Sequence, residues 1–490
     1  MSLSLRGRGA PAAPGLDPPG PNLPGLEAPG PNLPGLEPPG RAPGRPGRLL
    51  RFYGLLLGPL LAGYLLFDKA FAYIRLPGTP LYIGEMFLVL GALAVLGATG
   101  YLRLPLSEEP ILALLAVFFL WGLIRFLPGY RAYGVIAIRD FALVYYCLFA
   151  FLAVAAMARS PDLMDRWVTR LARFVPFLLP WLVAALILQS VVKHAPNVPG
   201  STVSVLTHGP GNCAIAALIA LGSLWLFPGT HTARGRALWS ILALVVLALS
   251  ATQNRGGLVG AMAGIAVGLA FFRPAVRLRL IARAIVVTVV GLALAATLSL
   301  KLPTGGGQGR AFSASQLITN VVSIGSSQGS TSLGGTVAGR DLLWSLIYHQ
   351  QVADGRLLDG YGFGLNLAYA VGDTQVTNGP DPLRSPHNSH FDVLARTGLL
   401  GLSLWIVVWL GWYWRVIMGC RRLARRGQHT RRQVAVLCLA VNTAILVSSF
   451  FAPLLEGAQV AVVLWTAFGG GVTVTSARPW AGGLPDTVPG

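Results

Sequence analysis

Residues 385–414 read SPHNSHFDVLARTGLLGLSLWIVVWLGWYW, a polar opening of Ser, Pro, His and Asn that runs into a stretch with no charge from Thr397 to Trp414. An apolar run of this length, 390–414, spans the hydrocarbon of a bilayer as a helix, because only a helix satisfies its own backbone there. The boundary between the two halves is therefore a membrane re-entry, with His387 at the water side.

Working outward, comparable runs fall at 53–74, 81–102, 109–128, 134–158, 174–192, 212–228, 237–253, 256–272, 281–302, 432–453 and 457–475. With the first they predict an all-α polytopic integral membrane protein of about 12 transmembrane helices. The composition agrees, since 54% of the 490 residues are apolar and 11% charged, against roughly a quarter charged in soluble domains.

The net charge of +20 does not describe a nucleic-acid surface, because the arginines lie between apolar runs instead of along one soluble face. One set of connections holds Arg41, Arg45, Arg48 and Arg51, then Arg159, Arg166, Arg170 and Arg173, then Arg234 and Arg236, then Arg273, Arg277, Arg279 and Arg283, and lastly Arg421, Arg422, Arg425, Arg426, Arg431 and Arg432. Positive residues stay inside, so these loops and both termini are expected to be cytoplasmic.

The domain expectation follows. Residues 1–48 form a Pro/Gly-rich cytoplasmic tail repeating Pro-Gly-Leu-Asp/Glu, which refuses helix and sheet and serves either as a plain extension or as a polyproline II ligand. Residues 49–302 hold helices 1–9, 303–389 one large periplasmic loop containing short helices, 390–475 helices 10–12, and 476–490 a short cytoplasmic tail. The loop's first half, Gly305 to Gly335, is Gly/Ser-rich and expected to be mobile. Arg340 to Val352 places Leu343, Leu346 and Ile347 at helical spacing, as an interfacial or lid helix would. The first apolar run begins too late for a cleavable signal and is expected to remain as an anchor. Cys147, Cys213, Cys420 and Cys438 show neither CxxC pairing nor His at metal-ligand spacing, so no zinc site or disulfide framework is expected.

A long loop that ends on titratable residues is where chemistry concentrates. Asn388 or Ser389 can cap the following helix, with Asp392 completing a capping box, and His387 then sits beside the positive helix end, which favours neutral imidazole. Such a histidine is either a general base for a hydroxyl or a loop residue hydrogen-bonding near a cap; His390 is the competing, more structural candidate. Arg255, in the tight turn Gln253-Asn254-Arg255-Gly256-Gly257, meets an anionic ligand or snorkels to the interface. Arg340 and Arg384 could join it in reading phosphate. Arg139 and Asp140 lie inside an apolar run and are expected to pair with one another, with substrate contact by Arg139 as the other reading. Arg125 and Glu85 are similar outer-end charges. Gly360-Tyr361-Gly362-Phe363-Gly364 follows no strand and holds no lysine, so it is read as turns and not as a phosphate loop.

The ordered set Gln253-Asn254-Arg255-Gly256, Gly339-Arg340-Asp341-Leu342-Leu343-Trp344, Gly360-Tyr361-Gly362-Phe363-Gly364 and Pro386-His387-Asn388-Ser389-His390-Phe391 with Gly398-Leu399-Leu400-Gly401 resembles the O-antigen ligase and polymerase superfamily. The resemblance implies a bacterial inner-membrane glycosyltransferase that takes a glycan from an undecaprenyl-diphosphate carrier on the periplasmic side. The implied acceptor is lipid A core, another lipid-linked glycan or a different hydroxyl. The implied site has His387 activating that hydroxyl and Arg255 and Arg340 holding the diphosphate; Asn388, Arg384 and Arg139 are expected as further substrate contacts from their own positions in the chain. Neither a metal nor another cofactor is implied. Diphosphate is already a good leaving group, so stabilising its charge and deprotonating the acceptor suffice, and attack opposite to it inverts the anomeric carbon. Asp354, Asp359 and Asp373 leave other acids on the loop. The alternative class, a lipid-linked oligosaccharide flippase or other polytopic transporter, would show repeats and charges deep in the bundle. The N-terminal repeat has no counterpart in the family, and sequence does not separate ligase from polymerase, with a slight preference for polymerase or a related exopolysaccharide enzyme.

Overall fold

A computed structural model describes residues 46–97, 109–160, 163–192, 194–297, 302–303, 311–313, 315–318, 331–372 and 384–476. The N-terminal repeats, Asp373 and most of the Gly/Ser-rich stretch lie outside the described residues, so the expectations placed on them are not addressed by the fold.

The helices are α1 (Pro46–Ala72), α2 (Ile83–Leu96), α3 (Pro110–Tyr133), α4 (Val135–Tyr145), α5 (Leu148–Arg159), α6 (Leu163–Val191), α7 (Pro210–Leu226), α8 (Ala233–Gln253), α9 (Arg255–Ala270) and α10 (Pro274–Thr297). The loop contributes α11 (Thr331–Ala353) and the single turn α12 (Leu367–Ala370), and α13 (Ser389–Arg425), α14 (His429–Ser448) and α15 (Ala458–Val474) complete the chain. Strand content among the described residues is one two-residue antiparallel pair, Leu302–Pro303 (β1) with Ala311–Phe312 (β2). The all-α membrane class therefore stands.

Each apolar run contains a helix, with α4 and α5 sharing one run as a pair bent by 51°. Among the described residues six helices are long and apolar enough to cross a membrane, or seven if the bent pair counts as one span, against the twelve runs read from the sequence. The difference lies in α10 and in α2, α7, α9 and α15, which are 14 to 17 residues long. At 1.5 Å per residue these four reach only about 21–26 Å, short of the ~30 Å hydrocarbon layer.

Close packing carries the bundle. On α9, Gly256, Gly260 and Gly264 recur every fourth residue; Gly260 and Gly264 face α14 and Gly256 faces Phe451 just beyond it, and a methyl at Gly260 would lie 1.9 Å from Ser448 Oγ and 2.4 Å from the Ala444 carbonyl. Small residues at this spacing let two backbones touch where lipid supplies no hydrophobic drive. The Asn254 side chain caps α9 by accepting from Gly257 N (2.8 Å), so α8 and α9 are joined by one residue. At the opposite end of the bundle Arg415 clamps Glu109 with two bonds of 2.7 and 3.0 Å, tying α13 to the start of α3. A cluster of Trp405, Trp409, Trp412, Trp465 and Phe468 fills the space between α13 and α15. The four cysteines are free and buried.

The loop helix α11 begins at Thr331, earlier than the Arg340 start read from the sequence. Its apolar stripe is as expected: Leu343 and Ile347 are buried and pack with Leu367, Ala368 and Ala395.

Candidate functional site

His387 is placed by its neighbours. Asn388 is the N-cap of α13, its Oδ1 accepting from His390 N (3.0 Å) and Phe391 N (3.1 Å). The Pro386 carbonyl accepts from Trp344 Nε1 at 2.6 Å, and the Trp344 ring stacks on Phe391. Ser389 N donates to the Ser449 carbonyl (2.9 Å), which ties the same turn to the end of α14. Between these anchors His387 takes φ +53°, a left-handed conformation that costs a residue with a Cβ about 1–3 kcal/mol and persists only when the surroundings fix it.

The capping box expected with Asp392 is not formed. Asp392 turns along its own helix to Arg396 Nε (3.0 Å), and Asn388 caps alone. The oxygen of Asn388, a candidate substrate contact, is thereby committed to backbone.

The His387 side chain is half-buried, and no hydrogen bond to its ring occurs among the described residues. Its pKa is pushed from 6.5 down to about 4, first by burial and then by the positive charges of Arg340 and Lys69. The imidazole is thus neutral at physiological pH, chiefly through desolvation and neighbouring cations and not through the helix end alone. His390, the second residue of α13, differs: its Nε2 lies 2.9 Å from the Leu446 carbonyl and its Nδ1 accepts from Trp405 Nε1 at 3.0 Å. Both nitrogens being engaged, His390 has no lone pair left for a proton.

Arg340 is half-buried on α11, and burial together with the like charge of Arg255 lowers its pKa. Arg255 is the first residue of α9, at the positive end of a helix, where a cation is disfavoured and an anion favoured. His387, Arg340 and Arg255 thus lie within electrostatic reach in sequence, each of the first two shifted by its neighbour. An environment that gathers cations and partly desolvates them is suited to a multiply charged anion.

Lys69 was not read from the sequence. It follows Asp68, a buried residue that breaks α1 with φ +46° while its carboxylate accepts from Gly209 N and from Asn212 Nδ2 (2.7 Å) at the start of α7. That break turns the last residues of α1 out of the helical path and sets Lys69 where its charge acts on His387. The adjacent Asp-Lys pair at the end of an apolar run was the available signal.

Asp140 and Arg139 do not pair. Adjacent residues on a helix point about 100° apart; Asp140 is buried and Arg139 exposed. Asp140 Oδ2 instead holds Arg396 Nη1 (3.1 Å), Arg384 Nη2 (3.3 Å) and Gly364 N (3.1 Å). Arg384 also donates to the Gly364 carbonyl (2.9 Å), so two of its bonds go to this network and not to the Arg255–Arg340 group. Glu456, between α14 and α15, has its pKa raised by burial and by Asp392, opposed by Arg396 and by a hydrogen bond from Ser385. A buried network therefore reaches from α4 to the residue two before His387.

The segment Gly360 to Gly364 closes this network from the loop side. All three glycines have positive φ, consistent with turns, and Tyr361 N and Gly362 N donate to the Ala395 and Arg396 carbonyls where Gly398 (φ +70°) breaks α13. A Cβ on Gly398 would meet the Leu358 carbonyl oxygen at 2.2 Å, which is why glycine stands there. Arg125 binds Asp359 (3.0 Å) and the Gly360 carbonyl (2.8 Å), and Glu85 accepts from Tyr145 and Tyr146 (2.6 Å each). Asp354 accepts from Tyr361 and Gln350. Among the described residues no group of three or more His, Cys, Asp or Glu is arranged to hold a metal ion.

No curated protein matches the chain. Residues 240–406 match the family model described as O-antigen ligase. That stretch begins in α8, takes in Arg255, Arg340 and His387, and ends within α13, and this domain match supports the O-antigen ligase and polymerase superfamily.

Proposed function

We propose that the chain transfers a glycan from an undecaprenyl-diphosphate carrier to an acceptor hydroxyl at the periplasmic face of a bacterial inner membrane, as an O-antigen ligase or as a polymerase of lipid-linked repeat units. The observation that carries this reading is a half-buried, neutral His387, free of hydrogen bonds among the described residues, with Arg340 and Lys69 acting on its ring and Arg255 acting on Arg340.

In the proposed reaction the acceptor O–H gives its proton to a ring nitrogen of His387 as the oxygen attacks the anomeric carbon. The bond from that carbon to the diphosphate oxygen breaks, and the leaving diphosphate keeps the electron pair. Arg255 and Arg340 receive the growing charge, where charge-assisted bonds in a partly desolvated site are strongest. Attack from the face opposite the leaving group inverts the anomeric centre. Trp344 and Asn388 act earlier, by fixing the turn that presents the base.

The test is transfer of a lipid-linked glycan in proteoliposomes. Replacing His387 by Ala is expected to lower turnover by about a hundredfold or more while binding of the diphosphate donor is retained. A product ladder unchanged by the substitution would refute the base assignment.

A further inference from the structure

Away from this site, a half-open cavity of about 610 Å³ lies between α1, α6, α7, α14 and α15. Its wall is apolar apart from three side chains, Trp167 and Arg170 on α6 and Thr466 on α15. Gly58 on α1 and Gly470 on α15 leave it room: a methyl at Gly58 would meet nothing closer than the Trp167 indole nitrogen at 3.8 Å. Its size is that of a site for a small organic ligand, well beyond a packing defect.

Two polar atoms in the wall are unmet. Trp167 Nε1 and Thr466 Oγ1 are buried without a hydrogen-bond partner. The contrast within α15 is informative, because Thr473 satisfies its hydroxyl on the carbonyl four residues back, at 2.9 Å, and Thr466 does not. Buried donors left open in this way call for an explanation, and a bound group with acceptor oxygens is one. Arg170 stands exposed at the rim, and no ion pair among the described residues includes it.

The position narrows the occupant. Arg170 lies on the side of the bundle that carries Arg166 and Arg173, and Gly58 precedes Lys69 by eleven residues of α1, about 16 Å along a helix. Toward the His387 side the cavity meets only a small space of about 20 Å³, bordered by Leu65, Val463 and Asp68, which is too narrow for a hydrocarbon chain. Access is thus from the leaflet next to the arginine-rich loops and not from the transfer site.

We propose that this cavity is a binding site for an anionic phospholipid of that leaflet, with acyl chain against the apolar wall, headgroup phosphate on Arg170 and ester oxygens within reach of Trp167 Nε1. Apolar surface on α1, α14 and α15 is removed from contact with mobile lipid, and the charge at the rim selects the headgroup. The assignment does not rest on the transfer reading.

The experiment is native mass spectrometry of the full-length protein after detergent washing, with phosphatidylglycerol or phosphatidylcholine of the same acyl composition added back. The wild type is expected to retain phosphatidylglycerol about tenfold better than phosphatidylcholine. Arg170→Gln should remove that preference, and Gly58→Leu, whose Cβ would have no backbone atom of another residue among its near neighbours, should reduce retention of both lipids. Equal retention of the two lipids by the wild type, a preference that survives Arg170→Gln, or stronger retention of an added polyprenyl alcohol each overturns the proposal. If Gly58→Leu fails to fold, the Arg170→Gln comparison, at an exposed position, decides alone.

Discussion

Under the proposed transfer reaction, the pH at which transfer fails reads the environment of His387. With its pKa at about 4 instead of 6.5, the ring at pH 5.5 is about 97% neutral, whereas an ordinary histidine would be about 9% neutral. The sign is fixed by the cause: burial and nearby cations disfavour the imidazolium, so the base form persists downward and is lost only as pH falls through about 4. Rates of glycan transfer measured across pH 4 to 8 at low donor concentration report the free enzyme through kcat/KM. The acid limb is expected close to pH 4, with little loss at 5.5. Lys69→Gln removes one of the cations acting on the ring and should move the limb upward, toward 6.5, while leaving the base in place. A limb at 6.5 in the wild type, or one that Lys69→Gln leaves unmoved, would refute the electrostatic account of the site.

Two further substitutions separate positioning from stability. Trp344→Phe keeps the stack on Phe391 but deletes the 2.6 Å bond to the Pro386 carbonyl; turnover is expected to fall about fivefold, the equivalent of one hydrogen bond, with KM for donor unchanged in steady-state assays. Asp140→Asn removes the charge shared by Arg396 and Arg384 and is expected to cost about 3–5 kcal/mol, since it leaves a buried guanidinium short of its counter-charge. A thermal melt in detergent checks it, and an unchanged midpoint would show that Asp392 alone suffices for Arg396.

The all-α class was legible because hydropathy in runs near 20 residues admits little else, and the order of helices followed the runs. Crossing lengths were less legible: α9 and α15 are apolar over 16 and 17 residues, and whether such a helix spans depends on its neighbours. The placement of His387 was legible, immediately before a helix that follows a long loop. The pairings were not. Asp140 sits next to Arg139 in sequence, yet its partners Arg384 and Arg396 come from more than 240 residues away, a choice set by helix packing that no spacing rule carries. Lys69 escaped for the same reason, since the break at Asp68 that redirects it is made by groups on α7.

In the proposed reaction the cations around His387 would serve two steps at once, and the order of binding would decide which. Burial, together with Arg340 and Lys69 while they are uncompensated, holds the imidazole a weak base, which protects a free site from protonation but does little for catalysis. A diphosphate arriving there cancels much of their charge: one unit of negative charge about 8 Å from the ring is worth about 2 kcal/mol at an effective dielectric of about 20, enough to raise the pKa. On the proposed reading the base would strengthen when the donor is present and stay weak when it is absent, so acceptor activation would be coupled to donor occupancy without any moving part. The consequence is a split between two pH profiles, with the acid limb of kcat, which reports the donor complex, lying above that of kcat/KM. A kcat limb at or below the free-enzyme limb would mean that added burial by the donor outweighs its charge, and the coupling would be lost.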